Sequence, residues 1–372
     1  MMERGMVRNR RPWNLLGVAT LLVMGLAAGA NAEFAGVGDK PVPESGLPAY
    51  TPVASLTGNM VVAGSSTMQP LLLQLVTRFR QLYPDAKVAI QAQGTEKGLA
   101  QFLSNQAAIR RGDGFYSGQH VSGSVAILAS SRPLTADEIK DFQAKNGYEP
   151  TEVPIAMGAV AIYVNKDNPI QGLTLEQVDA IFGRDRRRGL DQDISTWGRL
   201  GLPEPWAKES IRLYGRDQNS ATRTLLKSVA LLDGDFKGTV REEPGAASEI
   251  LSIGRDPLAI GYAGTGFQMS AVRVVPLAEK AGMPYVTPSA ETTANGTYPM
   301  WRYLYLYVKK DPGTELKPVV LEFLKFINSR EGQHVAIKAG VFPLSLTQVV
   351  KNLAVLTGST MATAATAAQG TN

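Results

Sequence analysis

Three times in this chain a short strand-like run ends in a turn of glycine and hydroxyl residues and passes directly into a helical stripe. Met60 to Ala63 stops at Gly64, the turn Ser65-Ser66-Thr67 follows, and Leu72, Leu75, Phe79 and Leu82 then recur at helical spacing as far as Pro84. Lys87 to Gln91 alternates as a strand does, and Gly94-Thr95-Glu96-Lys97-Gly98 leads into Leu99, Phe102 and Leu103 on one helical face. Ile211 to Tyr214 leads through Arg216-Asp217-Gln218-Asn219-Ser220-Ala221-Thr222 to a helix beginning near Arg223. A further apolar run, Val125 to Leu128, is followed by Ala129-Ser130-Ser131-Arg132-Pro133-Leu134. Strands alternating with helices imply a largely parallel α/β sheet. In such sheets ligands collect beyond the carboxyl ends of the strands, where helix N-termini point.

The residue types in these turns suit an anion. Glycine lets the backbone turn sharply, and the unpaired N–H groups and positive dipole end of a helix start attract negative charge. Arg216 can clamp two oxygens with its planar fork, and Ser65, Ser66, Thr67, Thr95, Ser131, Ser220 and Thr222 add hydroxyls. Each turn alone is equally well explained by ordinary helix capping. Four of them in one chain supply the converging donors that a dehydrated oxyanion requires.

The chain opens with Arg4, Arg8, Arg10 and Arg11, an apolar run from Leu15 to Ala28, and then Ala30-Asn31-Ala32. That order reads as a secretory signal peptide cleaved after Ala32. The apolar run falls short of the roughly 20 residues of a membrane span, the alternative being an uncleaved anchor. Glu33 to about Pro52 is rich in Gly, Pro and small residues and reads as a linker, and Thr357 to Asn372 reads as a frayed tail or weak helix. With no cysteine there is no disulfide and no lipidated N-terminal cysteine, so the fold is held by its own core. The formal charge of +5 includes four Arg and one Glu of the leader, which leaves +2 on the exported chain. That balance, with no basic stripe interleaved by aromatics, gives no support for nucleic acid, and the Arg184 to Arg188 cluster reads as a solvated surface loop.

Catalysis has little to stand on. The two histidines are His120, in a Gly/Ser-rich loop, and His334, in a helix near the C-terminus. There is no G-x-S-x-G elbow, no HExxH or CxxC metal motif and no GxGxxG or P-loop, so no catalytic residue, metal or cofactor is expected.

The same segments resemble the phosphate-binding proteins of bacterial phosphate ABC transporters, over roughly Asn59 to Leu346. Gly64-Ser65-Ser66-Thr67 is similar to that family's opening phosphate loop, and Leu173 to Gly183 followed by Ile194 to Trp197 is similar to its "LTxEQLxxIFxG…ItxW" stretch. Arg216-Asp217 with Ser220-Ala221-Thr222 resembles its "RxxxSGT" anion loop, and Ser329 to Gln333 with Gly340 to Leu344 resembles its "SxeGQ…GyxPL" ending. The resemblance implies a two-lobed, type II periplasmic binding protein fold, each lobe a mainly parallel sheet flanked by helices, with a hinge between lobes and inorganic phosphate in the cleft. It implies residues 1–32 as signal peptide, 33–55 as linker, 56–160 and 296–352 as lobe I, 161–295 as lobe II and 353–372 as a flexible tail. It also implies a periplasmic monomer that hands its ligand to a membrane permease.

The family uses an aspartate that accepts the proton of monohydrogen phosphate, an arrangement that repels fully deprotonated sulfate. Here that position falls on Ser131 or Arg132, the glycine of "SGT" is Ala221, and Glu96 and Lys97 stand where small residues are common. Glu96 is therefore either the replacement acceptor, balanced by Lys97 or Arg132, or an acidic residue favoured by the dipole in a first helical turn. The ligand set expected is Ser65, Ser66, Thr67, Thr95, Glu96, Ser131, Arg132, Arg216, Ser220, Ala221 and Thr222. Other oxyanions (arsenate, sulfate, a tungstate-like ion), a sensor or interaction protein of the same fold, and a secreted phosphatase are the competing readings.

Overall fold

Runs of Val, Ile and Ala that are apolar on both faces can pair only where helices cover both faces, and they set the middle of this molecule. The computed structural model describes residues 41–104, 123–267 and 269–359 of the chain. The expected leader, His120 and residues 360–372 lie outside the described residues.

In chain order, β1 (Gly58–Gly64), α1 (Gln69–Leu82), β2 (Ala86–Gln91), α2 (Thr95–Ser104), β3 (Ile127–Ser130) and α3 (Ala136–Asn146) lead to the long strand β4 (Thr151–Asn165). Then come β5 (Leu173–Thr174), α4 (Leu175–Phe182), β6 (Arg212–Arg216), α5 (Ala221–Val229), β7 (Arg241–Glu243), α6 (Ala246–Arg255) and β8 (Ala259–Gly264). After β9 (Val272–Val275), β10 (Leu277–Ala278) and α7 (Ala290–Ala294), the strand β11 (Trp301–Val308) returns, followed by α8 (Pro318–Ile327), α9 (Arg330–Lys338) and α10 (Leu346–Thr357).

The main sheet has the order β2-β1-β3-β11-β4-β8-β6-β7, with β9 also paired to β4. Each flank is parallel: β1 pairs with β2 and β3, and β6 pairs with β7 and β8. The centre is antiparallel, because β11 pairs with β3 and β4, and β4 pairs with β8 and β9. The parallel α/β units expected from the alternation therefore form two lobes, joined through β4 and β11. The 15 residues of β4 are buried from Val153 onward, and at about 3.3 Å per residue they reach roughly 50 Å.

Two cores lie along these strands. On β4, Ala156 packs into the first core with Phe79, Phe323 and Phe326, and the next residue, Met157, packs into the second with Phe182, Trp197 and Tyr262. On β11, Leu304, Leu306 and Val308 belong to the first core, whereas Met300, just before the strand, belongs to the second. The opposite faces are closed by Phe102 and Phe142 in one lobe and by Ile250 and Ile253 in the other.

Two terminal segments differ from expectation. The Gly/Pro-rich stretch read as a linker is, in its described part, packed against the body. Leu47 is fully buried in the second core, and the Tyr50 ring meets Phe326 edge-on at 5.5 Å. The Tyr50 N–H donates to Glu331 Oε2 at 2.7 Å, and Leu346 N–H donates to Glu44 Oε2 at 2.7 Å. At the other end α10 continues to Thr357 with Leu356 in the first core, so the described start of the expected tail is helix. The Arg184 to Arg188 loop is only partly solvated charge: Arg188 is tucked in, its Nε donating to Ala230 O at 2.8 Å and its backbone N–H to Asp179 Oδ2 at 2.7 Å. Among the described residues no helix is long and apolar enough to cross a membrane.

Candidate functional site

The turn after β1 is shaped by glycine. Gly64 has φ +138°, and a Cβ there would lie 2.0 Å from Ala129 O, so only glycine lets β1 end against β3. Ser65 N–H donates to Ala129 O at 2.8 Å and Gly94 N–H donates to Gly64 O at 2.9 Å, which ties three loops together. A Cβ on Gly98 would sit 2.3 Å from Gly64 Cα, so α2 closes directly onto the end of β1. Ser65 Oγ donates to Ser131 Oγ at 2.9 Å, and both residues are buried. Thr95, at the start of α2, is buried with no hydrogen-bond partner for Oγ1 among the described residues.

The facing lobe contributes the turn after β6. Ser220 caps α5 by accepting from Arg223 N–H at 3.4 Å, and Ala221 and Thr222 are buried behind it. The two lobes touch here. Arg216 Nη2 donates to Ser66 Oγ at 3.1 Å, and the Oγ1 atoms of Thr67 and Thr222 lie 2.7 Å apart. A Cβ on Gly94 would meet Asn219 O at 2.9 Å and one on Gly264 would meet Thr67 Cγ2 at 2.6 Å. The loops from β1, β2 and β6 thus converge at one place.

Arg216 is 2% exposed. Its Nε donates to Glu243 O at 3.3 Å and its Nη2 also reaches Pro244 O at 3.3 Å, which fixes the plane of the fork. Its Nη1 has no partner among the described residues. Behind it, Tyr262 OH accepts from Arg216 N–H at 3.2 Å, and Tyr262 N–H donates to Glu249 Oε1 at 2.9 Å. Burial pushes the Glu249 carboxyl up to about 8, against the pull of the Tyr262 N–H and the Arg216 charge.

A second buried arginine, absent from the expected set, stands beside the first. Arg302 on β11 donates from Nη1 to Ala221 O at 3.2 Å and from Nη2 to Thr222 Oγ1 at 3.1 Å. Burial, and then repulsion from Arg216, bring its guanidinium down to about 9. The signal in the sequence was a lone arginine inside the strand Trp301–Val308, otherwise aromatic and aliphatic.

Arg132 and Glu96 form a separate ionic group at the edge of these loops. Arg132 holds both oxygens of Glu138 at 2.7 Å, and its Nη2 reaches Glu96 Oε1 at 3.2 Å. Arg132 therefore ties α2 to α3, while Lys97 is exposed. Glu96 Oε2 is buried without a partner among the described residues, and desolvation raises this carboxyl above its ordinary range. Burial pushes the Glu138 carboxyl up as well, but hydrogen bonds from Arg132 and from the Thr135 backbone outweigh it and hold this group below the ordinary range. His334 lies on the surface with Nδ1 2.8 Å from Arg330 O. Among the described residues no group of three or more His, Cys, Asp or Glu could hold a metal ion.

The cleft therefore presents buried hydroxyls, loop N–H groups and guanidinium donors, a set suited to a compact, negatively charged ligand. The sequence profile of the PBP superfamily domain, PBP_like_2, matches residues 49–331. The chain is 38% identical over 319 residues to the phosphate-binding protein PstS of Pseudomonas aeruginosa, covering 86% of this chain and 92% of that one. It is 26% identical over 299 residues to the phosphate-binding protein PstS of Bacillus subtilis, covering 80% and 84%. An ABC-type phosphate transport receptor from Vibrio cholerae matches in fold with a TM-score of 0.54 at 21% identity, covering 77% of this chain and all of that one.

Proposed function

Because the chain belongs to the PBP superfamily and, within it, to the family of the phosphate-binding protein PstS, we propose that it is the solute receptor of a phosphate ABC transporter, binding inorganic phosphate between its lobes. The observation that carries this reading is Arg216: it is buried in one lobe, reaches Ser66 of the other, and keeps one guanidinium nitrogen without a partner among the described residues. Ser65, Ser66, Thr67, Thr95, Ser131, Ser220 and Thr222, with the backbone of Ala221, complete the donor set. Glu96 Oε2 accepts the proton of monohydrogen phosphate in place of the family's aspartate, whose position falls on Ser131 or Arg132, and Arg132 balances its charge and aligns it.

Binding without turnover fits these groups, since a buried arginine among hydroxyls offers charge compensation to an anion. The lobes, residues 56–160 with 296–352 and residues 161–295, turn about β4 and β11. Because donors from both lobes meet only when the cleft is shut, phosphate favours the closed form, and a membrane permease recognises that form. Residues 1–32 direct export to the periplasm and are removed there.

Isothermal titration calorimetry of the mature protein, stripped of endogenous anion by partial unfolding and dialysis, tests this. One-to-one phosphate binding with no heat from sulfate is the expected result. Heat from sulfate at equal affinity would replace phosphate by a general oxyanion as the ligand, and no heat from either would overturn the reading.

A further inference from the structure

We propose that Arg302 is a second anion-binding arginine, and that with Arg216 it makes the cleft selective for the doubly charged form of phosphate. The inference rests on the reading of the cleft as a phosphate site and adds to it a residue and a charge state.

Arg302 is 6% exposed and Arg216 2%. Neither has a carboxylate within ion-pair distance among the described residues. A buried arginine is ordinarily paired, because an uncompensated charge out of water is costly. Arg302 instead donates to two neutral acceptors, Ala221 O and Thr222 Oγ1, which a neutral amide could serve without that cost. Its Nε, like Arg216 Nη1, is buried with no partner among the described residues. Burial, and then repulsion from Arg216, lowers the affinity of Arg302 for its proton. A bound anion would offset the repulsion and favour the charged form of both groups.

Position supports the same role. Arg302 pairs with Gly158 across β11 and β4, where the chain passes from one core to the other. Its contact Thr222 is the residue whose hydroxyl meets Thr67 of the facing lobe. Arg302 therefore bears on the anion loop from the hinge strands, and Arg216 bears on Ser66 from the end of β6.

Two positive charges match two negative ones, and the single acceptor assigned to Glu96 matches one ligand proton. Monohydrogen phosphate satisfies both; dihydrogen phosphate carries one charge too few and one proton too many. The other ionisable groups around the pair are Glu249 and Glu243 behind Arg216, Arg223 beside it with Nη1 on Arg216 O, and Glu96 with Arg132 and Glu138 at the edge. All are present in the wild type and in Arg302→Lys alike, where the charge is kept, so Arg302→Lys is the control for their titration.

The test is calorimetric titration of the mature protein with inorganic phosphate on either side of the second ionisation of phosphate, for the wild type, Arg302→Met and Arg302→Lys. Wild-type affinity is expected to follow the dianion fraction. Arg302→Met should lose about 10- to 100-fold on the alkaline side, the range of one charge-assisted hydrogen bond, and clearly less on the acid side, so that its pH dependence flattens. Arg302→Lys should keep the wild-type slope. An equal loss at both pH values in Arg302→Met would overturn the proposal and leave Arg302 as a prop for the Ala221–Thr222 loop. Wild-type affinity for total phosphate that is the same on both sides would overturn it without any variant, even if Arg302→Met does not fold. A wild type that binds no phosphate would instead sink the function proposed above.

Discussion

The side-chain oxygens of Thr67 and Thr222 lie 2.7 Å apart, although the two residues are 155 positions apart and belong to different lobes. The bond holds the lobes to each other directly at the cleft. Replacing Thr67 by valine keeps the shape and removes the hydroxyl, while Thr222 retains its bond from Arg302. Phosphate affinity should fall about fivefold, the weight of one neutral hydrogen bond. Small-angle scattering of the ligand-free protein should show a larger radius of gyration than the wild type; an unchanged radius would mean that the bond does not bias closure.

Arg216 offers a planar fork held by two backbone carbonyls, a geometry that an ammonium group cannot copy. Arg216→Lys should therefore weaken phosphate binding by about 100-fold despite keeping the charge, and Arg216→Met by more. Calorimetry decides this, and equal affinities for the lysine variant and the wild type would show that charge alone is what the site requires.

Glu96→Gln converts the assigned acceptor into an amide whose nitrogen faces the ligand proton. Phosphate affinity should drop about tenfold or more, and sulfate should begin to compete, because the repulsion against a fully deprotonated anion is gone. Competition titrations read both effects. Phosphate affinity that does not change would assign Glu96 to the α2–α3 ion pair alone.

Glu249 gives the protein a pH signature of its own. Burial lifts this carboxyl from 4.5 to about 8. Between those values the folded protein keeps a proton that the unfolded chain has released. The stability it contributes is therefore complete below the ordinary carboxylate range and is lost as the pH rises to about 8. Glu249→Gln, which can still accept from Tyr262 N–H, should melt higher than the wild type at the alkaline end of this window and show a shallower slope across it. Parallel melting curves would mean that Glu249 is ionised in the fold or that the unfolded chain shares its shift.

The strand–turn–helix units were legible because their signals are local. Gly64 and Gly98 announce a close approach, and the hydroxyls that follow each strand announce a helix start; the observed boundaries, such as Gly58–Gly64 and Thr95–Ser104, lie within a few residues of the apolar runs. Arg302 stood out as a lone arginine in an apolar strand, but where it points was not legible. Its place at the anion loop depends on β11 pairing with β4, a register that brings residue 302 to residues 221 and 222 and leaves no mark on neighbouring positions. The partner of Arg132 was hidden for another reason. Glu138 is the capping-box acid of α3, and nothing local in the sequence shows that it also takes Arg132, a pairing made only when the chain folds around Pro133. The antiparallel centre was missed because a buried strand reads the same in either direction.

The strap from Glu44 to Tyr50 fastens to Glu331 and Leu346, partners that lie 281 and 302 positions further along the chain. Its anchors do not exist until almost the whole polypeptide has emerged. The strap therefore joins the first described residues to the last helices, α9 and α10, and rests on both cores. Contacts of such long sequence separation slow folding, so the strap's hold on the two cores is available only to a chain whose C-terminal helices have been made.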